Sequence, residues 1–236
     1  MKKLILTFTA LITLTIAHGQ KTEYRISLNS GLFSYVGQSA DEITFINFSD
    51  HTQSGYTNNP YGSKNGLCYG VSGNIQRVTK RNFILGLDLG YEVLRSKISI
   101  LGIAGSSETS TYGYPATGQT FLNNNFMNIN PFFGYRIVAK PIILDITGGI
   151  DYAYCFKSNE DGNAIDSNGK KYETSRDIET IKSEVRPRIQ ISTNYKKYGL
   201  YVGYSYGFTS YMSDYIGIPN ESYARLLRFG LTYQIK

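Results

Sequence analysis

Apolar and polar residues alternate with period two along this chain, and the alternation recurs eight times. Side chains of a strand point to opposite faces in turn, so each run describes a strand with one apolar and one polar face. Tyr24, Ile26, Leu28 and Leu32 oppose Arg25, Ser27 and Asn29, and Leu67, Tyr69, Val71 and Ile75 oppose Cys68, Gly70, Ser72, Asn74 and Gln76. Phe83 to Val93 and Met127 to Ile137 follow the same rule, as do Leu144 to Phe156, Val185 to Tyr195, Leu200 to Phe208 and Leu227 to Ile235. Short turns are expected at 78–81, 139–141 and 196–199, and long polar loops at 38–65, 95–125 and 157–180, with a shorter loop at 210–222. Short turns at one end and long loops at the other are the pattern of an up-and-down membrane barrel.

The chain opens with Lys2 and Lys3, an apolar run from Leu4 to Ile16, and the small residues of Ala17-His18-Gly19. That order reads as a secretory signal peptide over 1–19, and the run is too short to span a bilayer as a helix. The mature domain is expected over 20–236, in the outer membrane. The 21 Tyr, 12 Phe and 24 Gly favour strands and turns. The formal charge of +6 falls to +4 without Lys2 and Lys3, and no basic stripe concentrates it, which excludes a nucleic-acid partner.

The two faces differ in a way that separates a membrane barrel from a soluble one. Charges are absent from the centre of the apolar face, as a lipid-facing wall requires. The polar face is dense in glycine and carries Arg25, Asp88, Glu92, Arg136, Asp145, Asp151, Glu184, Arg186, Arg188 and Arg228. Both signs are present, so a narrow lumen filled by a self-neutralising charge network is expected. Pro131 and Pro187 each remove a ladder donor, and a bulge or a broken hydrogen bond is expected at each.

The strands "LCYGVSGNIQR", "FILGLDLGYEV", "MNINPFFGYRI" and "LRFGLTYQIK" resemble the small outer-membrane β-barrels of OmpA/OmpX-like architecture. The resemblance implies an all-β, antiparallel up-and-down transmembrane barrel of eight strands. It also implies outer-membrane lipid and the barrel assembly machinery as partners. The chain ends on Ile235-Lys236, whereas many such barrels close on an aromatic residue.

Catalytic motifs are scarce. His51 is the one histidine of the mature chain, and its neighbours Ser49 and Asp50 are adjacent in sequence, which is not triad geometry. The run "EDGNAIDSNG" over 160–169 lacks the spacing of a calcium loop, and turn chemistry accounts for it; no metal or cofactor is expected. Cys68 and Cys155 fall on strands nearly opposite one another and are expected to remain separate thiols. Tyr56, Asn58, Tyr61, Tyr112 and Tyr114 mix aromatic and polar groups in the expected loops, as contact surfaces for an extracellular ligand or protein do. The apolar segment of Ile43, Phe45, Ile46 and Phe48 reads as a strand extending above the membrane or as an added strand pair, ahead of a binding role. The resulting expectation is a non-enzymatic barrel that presents loops for surface interaction or envelope structure. The alternatives are a small-solute channel and a lipid-modifying enzyme dependent on His51.

Overall fold

A computed structural model describes residues 20–106, 111–212 and 221–235. The expected signal peptide lies outside the described residues, as do Lys236 and most of the expected loop at 210–222. No helix among the described residues is long and apolar enough to cross a membrane, so any crossing is made by strands.

Eight strands close on themselves. β1 (Lys21–Val36) pairs with β4 (Lys64–Val78), β4 with β5 (Phe83–Ser106), and β5 with β6 (Thr111–Ala139). β6 pairs with β7 (Ile142–Asp166), β7 with β9 (Ser183–Tyr195), and β9 with β10 (Tyr198–Tyr206). β10 then pairs with β11 (Tyr223–Gln234), and β11 returns to β1. Every pairing in this ring is antiparallel, and closure leaves no free edge. The chain therefore has the up-and-down barrel architecture of the small outer-membrane proteins.

The outer wall of this ring is an apolar belt. Leu28, Leu85, Leu89, Phe133, Ile150, Ile189, Val202 and Leu231 are all more than half exposed, which only a hydrocarbon environment makes favourable over a continuous band. At the short-turn end the belt is edged by Tyr24, Phe83, Tyr135, Tyr195, Tyr198 and Tyr233, and at the other end by Tyr69, Tyr91, Tyr154, Phe156 and Phe208. These are the two aromatic girdles of a membrane barrel. Between them each strand runs roughly nine to eleven residues, the length a tilted strand needs to cross.

Two of the expected long loops are largely strand, and the third is so in part. β2 (Ile43–Ser49) and β3 (Ser54–Thr57) occupy part of 38–65, the upper halves of β5 and β6 cover 95–106 and 111–125, and β7 with β8 (Lys171–Asp177) fills most of 157–180. These pieces form a second ring above the membrane belt. β2 pairs with β3, β3 meets β8 at Gly55 and Thr174, β8 pairs with β7, and β7, β6 and β5 continue their ladders. A parallel pairing of β2 with β5 closes it. Six strands thus enclose a separate apolar core of Ile46, Phe48, Ile100, Ile103, Ala116, Ala164 and Tyr172. The apolar segment at 43–48 is the strand that closes this ring.

The shared strands invert their chemistry where they leave the membrane. Along β7 the outward series Tyr152, Tyr154 and Phe156 gives way to Lys157, Asn159, Asp161 and Asn163. The change falls at a bulge between the β6–β7 pairs Phe126–Cys155 and Asn125–Lys157, where Phe156 has no partner. The extra residue exchanges the faces, turning Ser158, Glu160 and Ala164 inward. Below the bulge the wall meets lipid and is apolar; above it the wall meets water and the apolar groups retire inside.

The prolines act as ladder interrupters in two ways. Asn130 and Pro131 fall in a gap of the β6–β7 ladder, between Ile129–Tyr152 and Phe132–Gly149, with no change of register. Pro187 pairs with Ile150 but lies one residue past the last β9–β10 pair, Arg188 with Ser205, so that ladder needs no donor from it. Two glycines make room for lumen-facing rings. A Cβ on Gly86 would lie 2.3 Å from the Phe132 ring, and one on Gly230 would lie 2.6 Å from the Tyr201 ring. Gly86→Val is expected to destabilise the barrel by about 1–3 kcal/mol through overpacking. Urea titration followed by heat-modifiable gel mobility checks this, and an unchanged midpoint would show that Phe132 moves aside freely.

Candidate functional site

Two regions of the molecule gather polar and aromatic chemistry: the lumen and the outer mouth of the upper ring. The lumen residues alternate with the lipid-facing ones, so strand parity alone aims them inward. All ten charged residues singled out above lie there, in two clusters. Nearer the short turns, Arg136 bridges Asp145 at 2.7 Å and Glu23 at 2.8 Å, while Arg25 contacts Glu23 at 2.7 Å and Asp145 at 3.3 Å. Gln76 donates to Glu23 at 2.9 Å.

The second cluster is larger. Arg228 reaches Asp151 at 2.9 Å and Glu92 at 3.0 Å, and Arg186 lies 2.5 Å from Glu92 and 3.7 Å from Glu184. Arg188 contacts Asp88 and Asp151, each at 3.4 Å. Asn130 donates to Asp151 at 2.6 Å, and Arg228 also bonds the Ser205 hydroxyl. Each guanidinium therefore has carboxylate partners and each carboxylate a cation. That mutual supply is what makes these eleven lumen charges, Glu23 included, tolerable away from water. Between the two clusters lies a cavity of about 30 Å³, lined by Arg25, Asp88, Arg188 and Tyr201 among others. That volume holds a water or two and no solute.

Above the second cluster the lumen is sealed by an aromatic layer. Tyr35 packs edge-on against Phe33, Tyr61 and Tyr211, with centroids 5.0, 5.2 and 4.8 Å away. Its hydroxyl accepts from Asn124 at 2.7 Å, and the Tyr211 hydroxyl donates to Glu184 at 2.8 Å. Cys68 and Cys155 are both buried in this layer as free thiols.

The outer mouth is built on the upper ring. Tyr112 lies across Gly105, where a Cβ would come within 2.1 Å of its ring, and it packs 5.1 Å from Tyr114. The Tyr112 hydroxyl donates to Asp50 in the β2–β3 turn at 2.9 Å. Burial, and then the Asp50 carboxylate, push this phenol up to about 12. The Lys170 ammonium stands over the rings of Tyr172 at 4.8 Å and Phe48 at 5.5 Å. On the side of the ring Arg176 stacks on Tyr56 at 4.5 Å, and Asn58 accepts from Asn47 at 2.8 Å.

The structure thus divides the five contact candidates. Tyr112 and Tyr114 come together at the mouth, and Tyr56 and Asn58 share β3 and its exit. Tyr61 joins neither group: only 2% exposed, it belongs to the aromatic seal and is corrected from a surface contact to a core residue. The oxygen-rich run 160–169 is also not a loop for most of its length. Glu160 to Asp166 continue β7, and the Asp166 carboxylate accepts from the backbone of Asn168 and Lys170 to hold the turn. His51 sits exposed in the β2–β3 turn.

Several contributors were not singled out from sequence. Glu23 shares the face of Arg25 by parity and could have been found that way. Lys170 and Arg176 lacked any signal, since their partners Phe48, Tyr172 and Tyr56 meet them only through ring closure.

No family model matches the chain, and no curated protein matches it. Among solved structures it is similar to Neisserial surface protein A, with 10% identity and a TM-score of 0.38 over 92% of this chain and 99% of that one. It is also similar to Ail, the attachment invasion locus protein of Yersinia pestis, in complex with the heparin analogue sucrose octasulfate. There the identity is 9% and the TM-score 0.35, over 93% of this chain and 100% of that one. A third similarity is to the translocator domain of the autotransporter NalP from Neisseria meningitidis, with 12% identity and a TM-score of 0.26 over 98% and 95% of the two chains. At these values no residue role passes from those proteins to this one.

Proposed function

We propose that this outer-membrane barrel is a non-enzymatic surface protein that holds a rigid aromatic tip away from the membrane to contact another molecule. The observation that carries the reading is the second closed ring. Flexible loops would lose conformational entropy on every encounter, whereas a ring with its own core presents its contact residues already ordered. Ten or so strand residues above the belt lift the mouth roughly 25 Å from the bilayer surface. Tyr114 is 43% exposed at the mouth, near Tyr112 and Asp50, and Tyr56 is 44% exposed on the side of the ring beneath Arg176. Amphipathic rings beside mixed charges suit polar partners such as a polypeptide or a glycan.

The ion-paired lumen and the aromatic layer above it disfavour the channel alternative. Single-channel recording on the folded protein in planar bilayers is expected to show no steady conductance. A wide, lasting conductance step would overturn the display reading and restore transport. Replacing Tyr56 and Tyr114 by alanine together is the direct test of the tip. Adhesion or ligand capture by whole cells should fall at least tenfold, with barrel mobility on gels unchanged.

A further inference from the structure

The short-turn end of the barrel carries a charge distribution that display at the other end does not use. Lys80 and Arg81 occupy the first short turn, Lys140 the second, and Lys196 with Lys197 the third. Among the described residues this rim exposes no carboxylate: the nearest, Glu23, is buried and paired with arginines. Among the described residues, acidic side chains outside the lumen all lie beyond the opposite girdle. Lys21 at this rim pairs with Glu23 at 3.2 Å, and among the described residues the five turn cations have no carboxylate partner.

Beside three of these cations lies a groove of about 410 Å³ on the lipid-facing wall, between Pro141 and Ile142 on one side and Tyr198, Leu200 and Leu231 on the other. Its floor lies where Thr193, a small residue of the lipid-facing wall, stands opposite Leu200. Lys196 stands over the Tyr195 ring at 5.3 Å and Lys197 over the Tyr233 ring at 6.0 Å. These contacts hold the ammonium groups at the level of the aromatic girdle, where headgroups meet hydrocarbon. Lys196 also adopts φ 55°, a left-handed conformation that favours Gly or Asn, yet the chain places a cation there.

We propose that this rim is a docking site for one anionic phospholipid of the adjoining leaflet. Lys140, Lys196 and Lys197 hold its phosphate-bearing headgroup, and one acyl chain lies in the groove over Thr193. A water-borne polyanion would have no use for the groove, and a neutral lipid none for the lysines. The volume is in the range of small-molecule sites.

The test reconstitutes the full folded barrel into phosphatidylcholine vesicles doped with acyl-chain spin-labelled phosphatidylglycerol or, separately, spin-labelled phosphatidylcholine. Electron spin resonance then reads the motionally restricted fraction of each. The expected result is a roughly fivefold preference for phosphatidylglycerol at low salt, shrinking as salt is added. The preference should fall toward unity in the Lys140→Gln/Lys196→Gln/Lys197→Gln variant. Thr193→Trp, which fills the groove and keeps the charges, should reduce it at least twofold. Equal restriction of the two lipids by the native barrel, or a preference untouched by the triple variant, would overturn the proposal. If the triple variant fails to show the boiling-dependent gel shift of a folded barrel, the salt series on the native protein decides the same question.

Discussion

Asp151→Ala is expected to cost the barrel about 3–5 kcal/mol. Asp151 faces three guanidinium groups, those of Arg228, Arg188 and Arg186, at 2.9, 3.4 and 4.0 Å. Removing the carboxylate leaves these cations, all nearly inaccessible to solvent, with Glu92, Glu184 and Asp88 alone to balance them. Each arginine keeps at least one carboxylate but loses another, and the buried Asn130 amide is left without its acceptor, so the loss exceeds that of any exposed ion pair. Urea titration in lipid vesicles, read by the heat-modifiable gel shift, measures it. A midpoint within the error of the native value would mean that lumen water screens the arginines, and the self-neutralising lumen would be the wrong picture.

The second large effect belongs to the upper ring. Ile46 is fully buried there, paired with Thr57 on β3 and Ile103 on β5. An aspartate at that position would place an unpaired carboxylate in the core formed with Phe48, Ile100 and Tyr172, at a cost of several kcal/mol. The ring has a weak seam to yield along, because β3 and β8 share a single pair, Gly55 with Thr174. Ile46→Asp is therefore expected to open the ring while the membrane barrel stays closed. Protease added outside should cut around 43–57 and 171–177, and the remaining core should keep its gel shift. Simultaneous loss of the shift would show that the two rings melt as one unit, and a separable pedestal would be ruled out. The same variant should abolish contact through the mouth, because Phe48 supports Tyr172 and through it Lys170.

The contrast between these two substitutions follows from two cores of opposite character on shared strands. In the membrane the driving force is exclusion of charge from hydrocarbon, and the interior has only to satisfy itself. Above it the driving force is burial of apolar surface from water. β5, β6 and β7 serve both regimes, and each core answers to a different kind of mutation.

Much of this was open to reading in the residues alone. Period-two alternation is set by backbone geometry, so it assigned lipid and lumen faces strand by strand and aimed Arg25, Glu92, Asp151 and Arg228 at one another before any pairing was known. The short turns near Arg81, Lys140 and Lys196 followed from the same segmentation. Reading stopped at Val93, Asn125 and Phe156, because the outward face turns polar there. At Phe156 a bulge also breaks the alternation, so continuing it strictly would have buried Lys157. A polar stretch with broken periodicity looks like a loop, and only the parallel pairing of β2 with β5, between residues 56 or 57 positions apart, shows that it is a wall. Tyr61 illustrates the same limit: its composition suits an exposed contact, and its burial is decided by Tyr35 and Tyr211, which reach it from β1 and from the far end of the chain. Local alternation fixes which way a side chain points. Whether water, lipid or another side chain waits there is settled by ring closure, which depends on contacts between distant segments that local sequence does not encode.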